Sequence, residues 1–186
     1  MGNPMRGLLL AVLLIVLPAD ASTHRPMSFD ALVQNSDLII YGRVLESRPA
    51  RDPAVGMIWT RTDVLVLDCP KGQAASVVSI SEPGGIADGK GEFYPGTPQF
   101  RAGQELVLFL NWAPGNRLRV TGAMQGVYHV ARDGRTGELI ALPVVKPQET
   151  IFEEGSPYAA SVKQQASGPP KLSRFLYTIR QRVTNR

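Results

Sequence analysis

The sequence predicts an all-β domain, a small antiparallel barrel or sandwich of five to seven short strands, with a short helix before it and an amphipathic helix after it. Three observations predict this. WTRTDVLVLDC, Trp59 to Cys69, alternates at period two, as a half-buried strand requires. Glycine and proline, 18 and 15 of 186 residues, break the chain at short intervals, which suits strands and turns better than long helices. ELVLFLNW, Glu105 to Trp112, is a nearly continuous apolar run of strand length, which marks a central strand.

The elements follow in order. MGNPMRGLLLAVLLIVLPADAS has a basic residue, Arg6, an apolar run from Leu8 to Leu17, the breaker Pro18 and an Ala19-Asp20-Ala21 cleavage site. This is the layout of a secretory signal peptide over residues 1–21, with the mature chain starting at Ser22 and the product secreted or periplasmic. The apolar run is about half of the ~20 residues a membrane span needs. Ser28 caps a short helix whose Phe29, Leu32 and Val33 share one face. Ser36 to Arg48 reads as a long strand, with Gly42 marking a bulge or sharp coil. Trp59 to Cys69 is the second strand, turned by Pro70-Lys71-Gly72, and Ser76 to Ser81 the third. Glu105 to Trp112, Arg117 to Val120, Val127 to Ala131 and Glu138 to Leu142 complete the set. Arg101-Ala102-Gly103-Gln104 is a tight turn, and Gly122 and Gly126 mark close backbone approach at a corner. Residues 22–142 thus form the domain, 143–170 a linker rich in Pro, Gly, Ser and Gln, and 171–186 a basic amphipathic helix. That helix carries Leu172, Phe175, Leu176, Ile179 and Val183 on one side. It is expected to dock on its own domain, pack on a partner or touch an anionic membrane surface.

The chemistry-bearing patterns are few. GGIADGKG, Gly84 to Gly91, fits a phosphate-binding loop except at its end, where Gly91 stands in place of the magnesium-holding hydroxyl. No helix can follow, because GEFYPGTPQF is rich in glycine and proline, so the helix N-terminus that would hold the anion is missing. The stretch reads as a long flexible connection with a binding role. His24 and His129 lie far apart with one cysteine, Cys69, which makes no metal-site spacing and permits no intrachain disulfide. Cys69 reads as a small buried hydrophobe. There is no G-x-S-x-G elbow, and the carboxylate pairs Glu82/Asp88 and Glu153/Glu154 read as solvated charge. The expectation is therefore a protein that is not an enzyme, with no catalytic residue, metal or cofactor. Lys163 to Arg186 holds six Lys or Arg and no acid. The strand aromatics Tyr41, Phe109 and Trp112 read as core, not as interleaved stacking platforms, so nucleic acid is not an expected partner.

The runs LVQNSDLIIYGRVLESR, the Thr60 to Val66 alternation with Lys71-Gly72, Gly84-Gly85, GTPQFRAGQELVLFL and GAMQGVYHV resemble a widespread group of exported bacterial proteins, over most of residues 27–142. The opening helix and SDLIIYGRV are also similar to netrin-like and metalloproteinase-inhibitor modules. That similarity implies a five-stranded Greek-key barrel of the oligonucleotide/oligosaccharide-binding (OB-like) type. Those inhibitors reach the protease zinc through a disulfide-bonded N-terminal cysteine; Ser22 stands at the expected mature terminus here, so that mechanism does not carry over. Three expectations follow. The first is an exported domain that binds another exported protein, a protease among the candidates. Its contact surface is the Gly84 to Phe100 loop, with Gly84, Gly85, Lys90, Phe93 and Tyr94, plus the mature N-terminal segment. The second is a small-ligand or glycan face around Tyr41, Trp59 and Arg61. The third is an envelope-structural protein tethered to a membrane by Lys171 to Arg186.

Overall fold

The structure is a computed structural model and describes residues 26–145 and 168–184. The expected signal peptide, His24, Glu153/Glu154 and most of the expected linker lie outside the described residues. The chain builds mostly antiparallel sheet with two helices. Helix α1 is Phe29–Asn35, and Ser28 caps it by accepting a hydrogen bond from the Ala31 amide at 3.1 Å. Strands β1, Leu38–Arg51, and β2, Ile58–Lys71, form a ribbon longer at both ends than the sequence suggests, since β2 runs on through Pro70. Next come β3, Val77–Pro83, β4, Gly85–Ala87, and β5, Lys90–Glu92. They are followed by β6, Glu105–Ala113, β7, Arg117–Val120, and a 3-10 turn at Ala123–Gly126. Strands β8, Val127–Arg132, and β9, Leu139–Pro143, and helix α2, Leu172–Thr184, complete the chain.

The main sheet has the order β3-β2-β1-β6-β8-β9, with β7 also on β6; β4 and β5 form a separate hairpin. β1 is the hub: Leu38–Arg43 pairs with β6 while the whole strand pairs with β2. Its register slips at Tyr41/Gly42, where the ribbon bends. A Cβ on Gly42 would lie 2.5 Å from the Leu65 carbonyl oxygen, so only glycine allows this approach.

Two cores occupy the two faces of the sheet. Ile40, Val44, Val64, Ile80, Leu106, Leu108 and Leu110 fill one. Ile39, Val107 and Phe109 face the other, beneath α1 and α2. β1 and β6 are therefore buried on both sides, which is why β6 reads as a continuous apolar run. Phe29, Phe109, Tyr128 and Phe175 stack around one another, with ring centroids 4.6 to 6.0 Å apart. α2 docks on its own domain: Leu172, Phe175, Leu176 and Ile179 are buried. Its cations Arg180 and Arg182 meet Asp68 at 2.6 Å and Asp30 at 3.2 Å, and Lys171, just before it, meets Glu138 at 2.8 Å.

No ladder closes the sheet into a barrel among the described residues. β3 and β7 face each other, joined by side chains and not by backbone pairing. The Glu82 carboxylate accepts from the Val120 amide at 2.6 Å and from Arg119 at 3.0 Å. The opposite edge, β9, is covered by the chain itself, since the Ala141 amide donates to the Pro170 carbonyl and Ile140 bridges to Lys171.

Candidate functional site

The Gly84 to Phe100 stretch, read from the sequence as one long connection, contains regular structure. Its first half is the hairpin β4–β5, turned by Asp88 (φ 53°) and Gly89 (φ 70°). Two successive positive φ values make a two-residue turn of the type that Asp-Gly favours. Hence Lys90 opens a strand, not a helix, and is exposed, so nothing cradles a phosphate.

The hairpin is anchored at Gly84, whose amide donates to the Ile58 carbonyl at 2.7 Å and whose carbonyl accepts from Thr60 at 2.6 Å, and at Glu92. Glu92 accepts from the Ile58 amide at 2.8 Å and from Arg51 at 3.0 Å, while Tyr94 donates to it at 3.4 Å. The Ile58 amide and then Arg51 hold its carboxyl below the usual range. Arg51 also donates to the Gly56 carbonyl, which ties the β1–β2 tip to the same acid. Gly84 and Gly85 are structural. A Cβ on Gly84 would lie 2.7 Å from the Glu92 carbonyl oxygen, and one on Gly85 2.5 Å from Thr60 Oγ1. Both have positive φ.

What the anchored hairpin presents is apolar. Ile86 is 62% exposed and Phe93 65%, and both reach the space a Gly91 Cβ would take, so they form one patch. Tyr94 lies beside Gly84 and is also exposed. Val55, on the β1–β2 tip, is exposed as well. The second half of the loop returns to the 3-10 turn, where the Met124 amide donates to the Gly96 carbonyl at 3.2 Å. The Met27 amide donates to Gln125 on that turn at 2.8 Å. The N-terminal segment and the loop, read as one contact surface from the sequence, thus meet at Ala123–Gly126.

Tyr41, Trp59 and Arg61 do not converge. Tyr41 pairs with Asp68 and Trp59 with Ala50, near opposite ends of the β1–β2 ribbon. Tyr41 packs with the core under the helices and donates to Glu105 at 2.7 Å. Burial and then that carboxylate push its phenol up to about 12. The Trp59 ring is covered by Arg117, with Cζ 4.0 Å from its centroid. Its buried indole N–H has no hydrogen-bond partner among the described residues. Arg61 donates to Asp63 at 3.0 Å and Ser79 at 2.8 Å.

Two residues differ from their sequence reading. Glu82 is 3% exposed, not solvated. Burial pushes its carboxyl above the usual range, against the pull of the Val120 amide and Arg119. Trp112 is 56% exposed, not core. It shares a face of β6 with Leu106, Leu108 and Leu110, but lies beyond the point where that core ends. Cys69 is half-buried and donates to the Lys71 carbonyl at 3.3 Å; burial and then Asp68 push its thiol up. Among the described residues, no three His, Cys, Asp or Glu side chains gather as a metal ion would require. No helix among them is long and apolar enough to cross a membrane.

Compared with models of protein families and with curated proteins, the chain matches none.

Proposed function

We propose that this chain is an exported, non-enzymatic binding domain that holds another exported protein, a protease among the candidates, on the patch formed by Ile86, Phe93 and Tyr94. The observation that carries the reading is the anchored hairpin. Large apolar side chains stand in water on a hairpin fixed by Glu92, Arg51 and the Ile58 amide. Exposed apolar patches on preorganised elements mark interaction sites, because little ordering entropy remains to be lost on binding. The adjoining N-terminal segment, held at Gln125, supports the same surface. The architecture is read as a Greek-key barrel of the OB type, open between β3 and β7, with the bridge from Glu82 to Val120 standing where a closing ladder would run.

The other expectations have less support. The residues of the glycan face, Tyr41, Trp59 and Arg61, are spread along the ribbon. The apolar side of the tethering helix is occupied by the sheet.

The test compares the immobilised wild-type chain with Ile86→Glu and Phe93→Ala in the envelope and culture fluid of the producing organism. One exported protein retained by wild type and lost by both variants, at unchanged unfolding temperature, is the expected result. Retention that is indifferent to both substitutions removes the hairpin as the contact.

A further inference from the structure

A groove of about 450 Å³ opens between the β2–β3 turn, the start of β3 and the β6–β7 turn, at the opposite end of β3 from the hairpin patch. The buried Leu38, Val78 and Leu118 line it, and so does Trp112, the cross-strand partner of Leu118. A lone exposed apolar side chain is ordinary. Trp112 is not of that kind, because its exposed ring borders a concavity with an apolar lining.

The walls are fixed through one residue. The Asp37 carboxylate accepts from the Trp112 amide at 2.8 Å, and the Asp37 amide donates to the Leu110 carbonyl at 2.8 Å. The β2–β3 turn packs on the same residue, since a Cβ on Gly72 would lie 2.9 Å from the Asp37 carbonyl oxygen. Asp37 therefore holds both Trp112 and the turn that presents Gln73. Gly115 (φ 78°) and Asn116 (φ 56°) shape the turn after Trp112 and set Asn116 on the lining.

The polar groups of the groove are neutral or already paired. Arg61 donates to Asp63 at 3.0 Å and to Ser79 at 2.8 Å, and Arg117 is bound to Asp52. No carboxylate is on the lining. Among the described residues, no hydrogen bond engages the side chains of Gln73, Trp112 or Asn116, and all three are exposed. The groove thus offers one indole ring, two open amides and no uncompensated charge.

That set selects by elimination. A charged ligand finds no counter-charge. A purely aliphatic one would strip water from the amides and replace none of their hydrogen bonds. The match is a molecule with a flat apolar face and a rim of neutral hydroxyls. A pyranose whose substituents are all equatorial has that shape: its C–H groups make two flat faces and its hydroxyls lie at the edge. The volume falls within the ~300–1,000 Å³ of small-molecule sites.

We propose that this groove binds a neutral glycan, with a gluco-configured pyranose stacked on Trp112 and its hydroxyls hydrogen-bonded to Gln73 and Asn116. Of the glycan face expected around Tyr41, Trp59 and Arg61, only Arg61 reaches the groove, and the stacking ring is Trp112. The site does not rest on the hairpin patch or on its partner.

The test uses the full chain with cellotetraose and chitotetraose, read by tryptophan fluorescence and by isothermal calorimetry. Controls are the β-linked glucuronate tetramer, which adds charge to the same shape, and mannitol, a polyol without a ring. The expected result is saturable binding of at least one neutral tetramer, with a change in tryptophan emission. Trp112→Ala should weaken it at least about tenfold by removing the apolar platform. Gln73→Ala and Asn116→Gly should each weaken it about threefold, and glycine keeps the positive φ at position 116. Ile86→Glu should bind as wild type does, and thermal unfolding checks that every variant folds. No saturable binding of either neutral tetramer overturns the proposal, as does equal binding by folded Trp112→Ala. So does binding of mannitol or the glucuronate tetramer as tight as that of the neutral ones. Binding lost in Ile86→Glu but kept in Trp112→Ala would move the glycan to the hairpin and overturn it too.

Discussion

Phe175→Ala tests the packing of the C-terminal helix most directly. Phe175 is 6% exposed and sits 4.6 Å from the Tyr128 ring and 5.5 Å from Phe29, centroid to centroid. Truncating a buried phenylalanine costs about 3–5 kcal/mol, from lost transfer energy and the cavity left behind. The two ring contacts contribute about 0.5–1.5 kcal/mol each within that. For a domain of this size the loss lowers Tm by roughly 10–20 °C. The free energy that holds α2 on the sheet sets a ceiling, because beyond it the helix detaches and the sheet keeps its own core. Urea unfolding followed by tryptophan fluorescence measures the whole loss, and hydrogen exchange over residues 172–184 separates detachment from global unfolding. Tyr177, 60% exposed on the same helix, is the control, and Tyr177→Ala should change stability by under about 0.5 kcal/mol. If Phe175→Ala costs less than about 1 kcal/mol, or no more than Tyr177→Ala, then α2 is not part of the core and the packing argument fails.

Other predictions follow from single close contacts and shifted groups. Gly126→Val should abolish cooperative unfolding, since even its Cβ would lie 2.2 Å from the Thr121 carbonyl oxygen; a folded Gly126→Val by circular dichroism would contradict this. Glu82→Ala should cost about 1–3 kcal/mol by leaving the Val120 amide unsatisfied, while Glu82→Gln keeps an acceptor there. Because burial raises the folded pKa of Glu82, the folded state binds its proton more tightly than the unfolded state does. Wild type therefore loses stability as pH climbs from the ordinary carboxylate value through the raised folded one, and Glu82→Gln should remove that part of the slope in urea titrations. Tyr41 should ionise near 12 by phenolate absorbance, and Glu105→Gln should bring it down only part of the way, because burial is the larger cause. An unmoved midpoint would exclude the Glu105 hydrogen bond.

Local patterns were legible. The Ser28 cap, the alternation of β2, the two-sided burial of β6 and the coil at Gly42 each depend on neighbours within a turn or a ladder step. The β4–β5 hairpin was legible too, in Asp88-Gly89 between short extended runs, but the resemblance of Gly84 to Gly91 to a phosphate loop drew attention to Lys90 instead. Glu82 could not be read locally, because its partners Arg119 and Val120 lie 37 and 38 residues further on. Trp112 followed apolar neighbours and so read as core. Its exposure depends on where the opposite wall of the sheet stops, which no periodicity records. The apolar side of α2 was plain, but its occupant was not, because the same stripe fits a sheet, a partner or a membrane.

Glu82 links the closing edge of the sheet to the hairpin stretch. A backbone ladder would bring two strands to about 4.8 Å. Here a glutamate side chain spans from β3 to the Val120 amide, so it acts as a spacer between the strands as well as a tie. Its buried charge is disfavoured by desolvation, yet a neutral apolar residue of the same size would leave Val120 without an acceptor and Arg119 without its partner. β3 runs through this spacer to Pro83, and Gly84 then opens the hairpin stretch. Held to β7 through both Val120 and Arg119, Glu82 thus fixes the end of the strand from which Ile86 and Phe93 are presented.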